Sequence, residues 1–387
     1  MKTCLFPLFL MAIAPVFAEP EWLIIGNDLK VECRAEGLTK VAPKGVDTVT
    51  LIDLSESEGI PEKMVNMEIS NSIFGPPTNL AVTPDQKLAI VATSLNWLEI
   101  DGVWSSEPAN LLHVVDLEGG SNSPVRVVQT KAQPSGISIS RDGKSLLVAN
   151  RADRSISLFR IDGKKVEMTD TVAIDGEAAA VAFHPSGKQA LVTKFSEHLV
   201  AQIEISEGKL HYDPARDIPV GRSPYNVKFL PNGEMAIVCN TGNNGLPDGH
   251  IDTLSLIDYT GEAPHVCDTV SVGDGPEGLA VSADGRYVAV PLLNGGTDIF
   301  KGKWFHHEHG EVVLYEVVGK NLEERSRVET GSFPEGITFS HDGRRLFVAN
   351  LDSEDLSVFA VEGGRLKLLG EPLKLPGKPG SMGTANP

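Results

Sequence analysis

Four cysteines in 387 residues are too few for a disulfide scaffold, and aromatic side chains make up only 6% of the chain. Positive charge is scarce as well: 34 Lys and Arg stand against 52 Asp and Glu, for a net charge of −18. That balance disfavours nucleic acid and anionic membrane as partners. After the first residues no apolar run is long enough to span a bilayer as a helix, so no membrane span is expected once the leader is removed. There is no Cys-x-x-Cys-His, which excludes covalent c-type haem, and no phosphate-binding P-loop or Gly-x-Ser-x-Gly elbow. Gly273-Asp-Gly275-Pro-Glu-Gly278 has the spacing of a dinucleotide fingerprint, but a strand pattern follows it instead of a helix, so it gives no NAD site. Helical periodicity is almost missing throughout.

Lys2, the apolar run Leu5 to Val16 and the compact residues Val16-Phe17-Ala18 read as a cleaved secretory signal over residues 1–18. The remaining chain, 19–387, is expected to be one exported domain, periplasmic or secreted. Of the three mature cysteines, Cys239 and Cys267 fall on strands of one repeat with another strand between them. That places them roughly 9–10 Å apart, beyond the reach of a disulfide, and both read as small buried apolar residues.

What the sequence does have is a repeat. Pro134-Ser-Gly-Ile-Ser-Ile-Ser-Arg-Asp-Gly-Lys-Ser-Leu-Leu-Val-Ala-Asn150 returns from Pro224, Pro276 and Pro334, with weaker copies from Pro77 and Ala178, at intervals of 44 to 58 residues. Each copy reads as four strands. An alternating pair such as Ile137 and Ile139 forms strand A, and an Asp-Gly, Ser-Gly or Asn-Gly step supplies a tight turn. Strand B is apolar on both faces, as a strand between two neighbouring sheets must be. The fold class is therefore all-β, a seven-bladed β-propeller of four-stranded antiparallel blades. The seventh blade is expected to be split. Trp22–Gly26, Asp47–Asp53 and Met64–Ile69 supply strands B, C and D, and Pro379–Met382 from the other end supplies strand A and closes the ring.

The Val-Ala-Asn steps at 148–150 and 348–350, each followed by Asp and a Ser-Ile-Ser or Leu-Ser-Val strand, resemble YVTN-type propeller repeats. The Pro-Glu-Gly-Ile starts are similar to lactonase-like and virginiamycin-B-lyase-like propellers. The resemblance implies a periplasmic seven-bladed propeller, in a fold that hosts hydrolases, lyases, dehydrogenase subunits and binders. The Arg-His pair typical of the phosphogluconolactonase-like branch is replaced by Tyr225-Asn226, Glu277-Gly278 and Glu335-Gly336, and the adjacent cysteines of some quinone-cofactor propellers are absent.

Strands A and C run one way and B and D the other, so the D-to-A crossings share a face with the B-to-C connections. The latter are long at 95–109, 241–250 and 292–309, and long loops on a rigid scaffold carry function. Asn79, Tyr225, Asn226, Glu277 and Glu335 stand at matching strand-A starts near the channel mouth. They are candidate ligand-binding residues, joined by Trp97 and Trp104 from the first long loop. Glu277 and Glu335 could bind Ca²⁺ or Mg²⁺ or share a proton; the plain alternative is that both are solvated at a wide mouth or accept from backbone amides. His306, His307 and His309, with Asp298 and Trp304 nearby, form a candidate metal site for Zn²⁺ or Cu²⁺. Against it stand the short spacing and the option of a solvated polar loop. Asn243, Asn244, Asp248, His250 and Asp252 in the third loop read first as turn chemistry.

The leading expectation is an exported binding or scaffold propeller that holds a small molecule or a periplasmic protein on its loop-rich face. The alternatives are a metal-dependent lactonase-like hydrolase or lyase, with Glu277, Glu335 and His307 as catalytic candidates, and an accessory subunit of a periplasmic redox system.

Overall fold

A computed structural model describes residues 20–34, 37–40, 45–56, 58–71, 74–122 and 125–385. The expected signal, 1–18, lies outside the described residues. Seven four-stranded antiparallel sheets stand in a ring. We number the blades I to VII by their innermost strands: Leu80–Val82, Pro134–Ile139, Ala178–Phe183, Pro224–Phe229, Ala280–Val281, Pro334–Phe339 and Lys378–Thr384. Among the described residues no helix is long and apolar enough to cross a membrane.

The local chemistry repeats with the blades. In blade II the Ser140 hydroxyl donates to Asp142 Oδ1 (2.6 Å) and accepts from the Ser145 amide (2.9 Å), while Asp142 accepts from the Lys144 amide (3.0 Å). Gly143 takes φ +70° at the turn, where a left-handed residue is required. Ser282-Asp284 and Ser340-Asp342 build the same turn in blades V and VI. At the other end of strand B an asparagine clamps strand C: Asn150 donates to Ser155 and Ser157, and Asn27, Asn240 and Asn350 do the same in blades VII, IV and VI.

The core lies between blades, because each sheet is apolar on both faces. In strand B of blade VII, Leu23 and Ile25 pack towards blade VI with Phe347, Ala349 and Val358. Ile24 between them packs towards blade I with Leu80, Val82 and Val91. Burying one such side chain stabilises the fold by about 1.5–3 kcal/mol. The split blade forms as the sequence predicts: Lys378–Thr384 pairs with Trp22–Asp28, with Ile25 opposite Met382, and Thr48–Asp53 and Met64–Glu68 follow outward.

Three features differ from expectation. The segment 95–109 is not a loop: strands Leu88–Ile100 and Val103–Asp116 continue as a two-stranded arm that turns at Asp101-Gly102, both with positive φ. A second hairpin, Val31–Arg34 with Gly37–Lys40, fills the B-to-C connection of blade VII. Cys239 is buried and Cys267 is exposed, because Cys267 sits on outermost strand D; neither forms a disulfide.

Candidate functional site

The strand-A starts carry Glu277 and Glu335 to the same place in blades V and VI. Both are buried, at 6% and 4% exposure, rather than solvated at a wide mouth. Neither carboxyl group makes a hydrogen bond or ion pair with any described residue. Burial pushes the Glu277 carboxyl up to about 8, against the opposing charge of Arg151. Burial, then the charges of Glu277 and Asp28, raises Glu335 well above the usual range. The blades can stand this close because the next position is glycine: a β-carbon on Gly278 would lie 2.1 Å from the Glu335 carbonyl oxygen.

Arg151 reaches this centre from blade II, directly after the Asn150 clamp. Its guanidinium lies 5.0 Å from the Phe195 ring centroid, forms an ion pair with Glu177, and is close enough to Tyr225 for the phenol to act on its charge. Phe195 in turn packs 5.4 Å from the Tyr225 ring. An apolar cap joins connections of several blades. Val31, Leu293, Ile299, Phe300, Phe333 and Leu351 form it, with Phe74, Trp97 and Phe305 packed against it. Loops from blades V, VI, VII and I meet in this cluster.

Each predicted site residue can now be placed. Asn79, Tyr225, Asn226, Glu277 and Glu335 all lie at the axis and are buried. The Asn226 amide donates to the Glu277 carbonyl oxygen (3.3 Å). Trp97 is half-buried against Phe74, with ring centroids 6.2 Å apart, and belongs to the cap; Trp104 stands on the opposite strand of the same arm. Segment 292–309 is on the glutamate side of the disc, since Leu293 and Asn294 donate to the Gly275 and Asp274 carbonyls. Its histidines do not reach the carboxyls: His306 is half-buried, and His307 and His309 are exposed. Among the described residues no group of three or more His, Cys, Asp or Glu side chains is arranged to hold a metal ion, so neither His306, His307 and His309 nor the glutamates form such a set. In the third loop Asp274 accepts from the Asp248 and Gly249 amides and Asp252 from Gly275, while Gly242, Asn244, Gly245 and Gly249 have positive φ. That is turn chemistry, as the sequence indicates. Arg151, Glu177, Phe195 and Asp28 were not legible as site residues; the only signal for Arg151 was its place after a repeated Val-Ala-Asn step.

Comparison with known proteins agrees with this architecture. The family model "Lactonase, 7-bladed beta-propeller" matches residues 40–229, and "Choice-of-anchor I domain" matches 246–356. Antigen Lp49 of Leptospira interrogans is 22% identical over 198 residues, which is 48% of this chain and 41% of that protein; the chain thus spans about two fifths of that relative's length. The periplasmic gluconolactonase of Pseudomonas aeruginosa is 20% identical, with 95% of this chain and 100% of that one covered, at a TM-score of 0.68. A functionally unknown protein from Desulfotomaculum acetoxidans gives 14% identity, 95% and 100% coverage, and the same TM-score, 0.68. Hydrazine synthase of Kuenenia stuttgartiensis gives 15%, 76%, 79% and 0.58. At these identities the solved structures speak to the fold.

Proposed function

The chain is a lactonase-like seven-bladed β-propeller, and from that premise we propose that it holds a small, uncharged, hydroxyl- or carbonyl-bearing molecule at the axial end of its loop-rich face. One observation carries the reading: Glu277 and Glu335 are buried side by side with no hydrogen-bond partner among the described residues. Buried polar groups are ordinarily paired, and a pair left open at a channel mouth is a place for a ligand. A protonated carboxyl both donates and accepts, which suits sugar hydroxyls and ester carbonyls. An anion would meet whatever negative charge the pair carries. The Pseudomonas relative, a gluconolactonase by name, makes sugar lactones the first class to try. Its periplasmic location and the leader-like residues 1–18 favour export of this chain as well.

The test is a thermal-shift comparison of neutral sugars, sugar lactones and the corresponding open-chain acids. Bound ligand raises the melting temperature by mass action. A lactone or sugar should raise it, and the rise should vanish in the Glu277→Ala, Glu335→Ala double variant. Equal rises with the acids, or a rise that survives the double substitution, would contradict the reading.

A second reading, lactone hydrolysis, has one observation in its favour. A carboxyl pushed up to about 8 is suited to accept a proton from water near neutral pH. Glu277 would be the base and Arg151 the nearby cation. Acid release from a sugar lactone, followed at constant pH, should then be abolished by Glu277→Gln; turnover unchanged in that variant would remove Glu277 from the chemistry.

A further inference from the structure

The axial channel has a second end. Its lower part opens on the face of the A-to-B turns, opposite the capped face, and all seven innermost strands line it. Alternate residues of a strand point the same way, and two residues beyond Asn226 the channel-facing residue is Lys228. At the matching position the other blades place Ala81, Ser138, Ala182, Ala280, Thr338 and Gly383. Five short side chains and one glycine therefore surround one long cationic side chain.

The charge of this wall runs against the rest of the molecule. The chain has 52 acidic residues, yet among the described residues no Asp or Glu lines the channel; the charged residues that do are Lys228 and, at the mouth, Arg141, and His184 lines it too. Lys228 is half-buried, and its ammonium makes no hydrogen bond or ion pair with any described residue. Burial alone acts on it and lowers its proton affinity, with no carboxylate near enough to raise it. The other deeply placed lysines are neutralised. Lys194 bonds Asp175 (2.6 Å) and Asp217 (2.7 Å), and Lys30 pairs with Asp47 and Asp28. An ammonium withdrawn from bulk water without a counter-charge is costly, and an anion beside it offsets that cost. Ser138, in the same ring, accepts from the Phe183 amide (3.1 Å), which leaves its hydroxyl proton to donate.

We infer that the lower channel binds a compact anion, a small carboxylate or phosphate, which enters from the turn face and is held by the Lys228 ammonium. This site is independent of the loop-face reading: it takes an anion, where that face takes an uncharged molecule.

The experiment uses the full chain with its lysines ¹³C-methylated and the Lys228 resonance identified by its loss in Lys228→Arg. Sodium phosphate and sodium acetate are titrated against sodium chloride at constant ionic strength. The Lys228 signal should move saturably with phosphate or acetate and not with chloride, and the two curves tell the phosphate source from the carboxylate source. Ala280→Asp, which sets a carboxylate in the same ring, should abolish the movement. A Lys228 signal that follows exposed lysines such as Lys367, that ignores both anions, or that titrates unchanged in Ala280→Asp would overturn the inference. Should the variants not fold, acetylation of Lys228 in the native chain, read by peptide mass spectrometry, decides: several-fold protection by phosphate or acetate over chloride supports the site, and equal labelling rejects it.

Discussion

The Glu335 carboxyl lies one blade on from Glu277, within range of its charge, and after burial that charge is the strongest influence holding the Glu335 proton in place. Two carboxyls this near in a dry setting cannot both ionise cheaply. Adjacent Pro-Glu-Gly starts put them together: proline and glycine fix the crossing, and the residue between them is pushed to the axis.

The pH dependence of stability follows from Glu277. Its unfolded value is the ordinary 4.5 and its folded value about 8. Between the two the native state holds more protons than the unfolded chain, so this group's contribution to stability is full below the lower value and declines as pH rises towards the upper one. The slope is on the order of 1.4 kcal/mol per pH unit. Glu277→Gln should match the wild type in urea unfolding at about pH 5 and exceed it at about pH 8.5. Parallel curves would contradict this.

Arg151 opposes the burial of Glu277. In Arg151→Met the Glu277 titration should therefore move further up, while the cation–π contact with Phe195, about 0.5–2 kcal/mol, is lost. The midpoint of the stability–pH curve reads the first effect; an unmoved midpoint would separate Arg151 from the carboxyl pair.

Lys194 stands where other blades place the clamping asparagine, and its side chain and that of Asp217 are only 2% and 5% exposed. Lys194→Met should cost roughly 3–5 kcal/mol by leaving the buried Asp217 carboxylate without a counter-charge, with only the Tyr212 hydroxyl (3.0 Å) donating to it. Adding Asp217→Asn should recover part of it, as denaturant midpoints will record.

Gly278→Ala forces a β-carbon against the Glu335 carbonyl oxygen. It should cost about 1–3 kcal/mol or more, whereas Gly261→Ala, whose nearest neighbour is 4.0 Å away, should be nearly neutral. Melting curves of the two variants check the contrast.

The ring was legible because its signals are local and repeated: proline before strand A, Ser-x-Asp-Gly at the turn, strand B apolar on both faces. Even the split blade could be read, since Trp22–Gly26 lacked an inner partner and Pro379–Met382 lacked an outer one. The arm at 95–109 was misread although Asp101-Gly102 sits between alternating residues, because its polar face looks like a loop. Matching slots disclosed Glu277 and Glu335. Their burial was not legible, since it arises from how separate blades meet and not from the local sequence. Arg151 and Lys228 gain meaning only from what faces them across the axis.

Carboxyl-directed ¹³C NMR of glutamate-labelled protein tests the central claim most directly. One resonance should titrate near 8 and disappear in Glu277→Gln, while that of Glu335 stays protonated to higher pH and shifts downward in the same variant. If every glutamate titrates in the ordinary range near 4.5, the two carboxyls are neither buried nor coupled, and the proposed site is wrong.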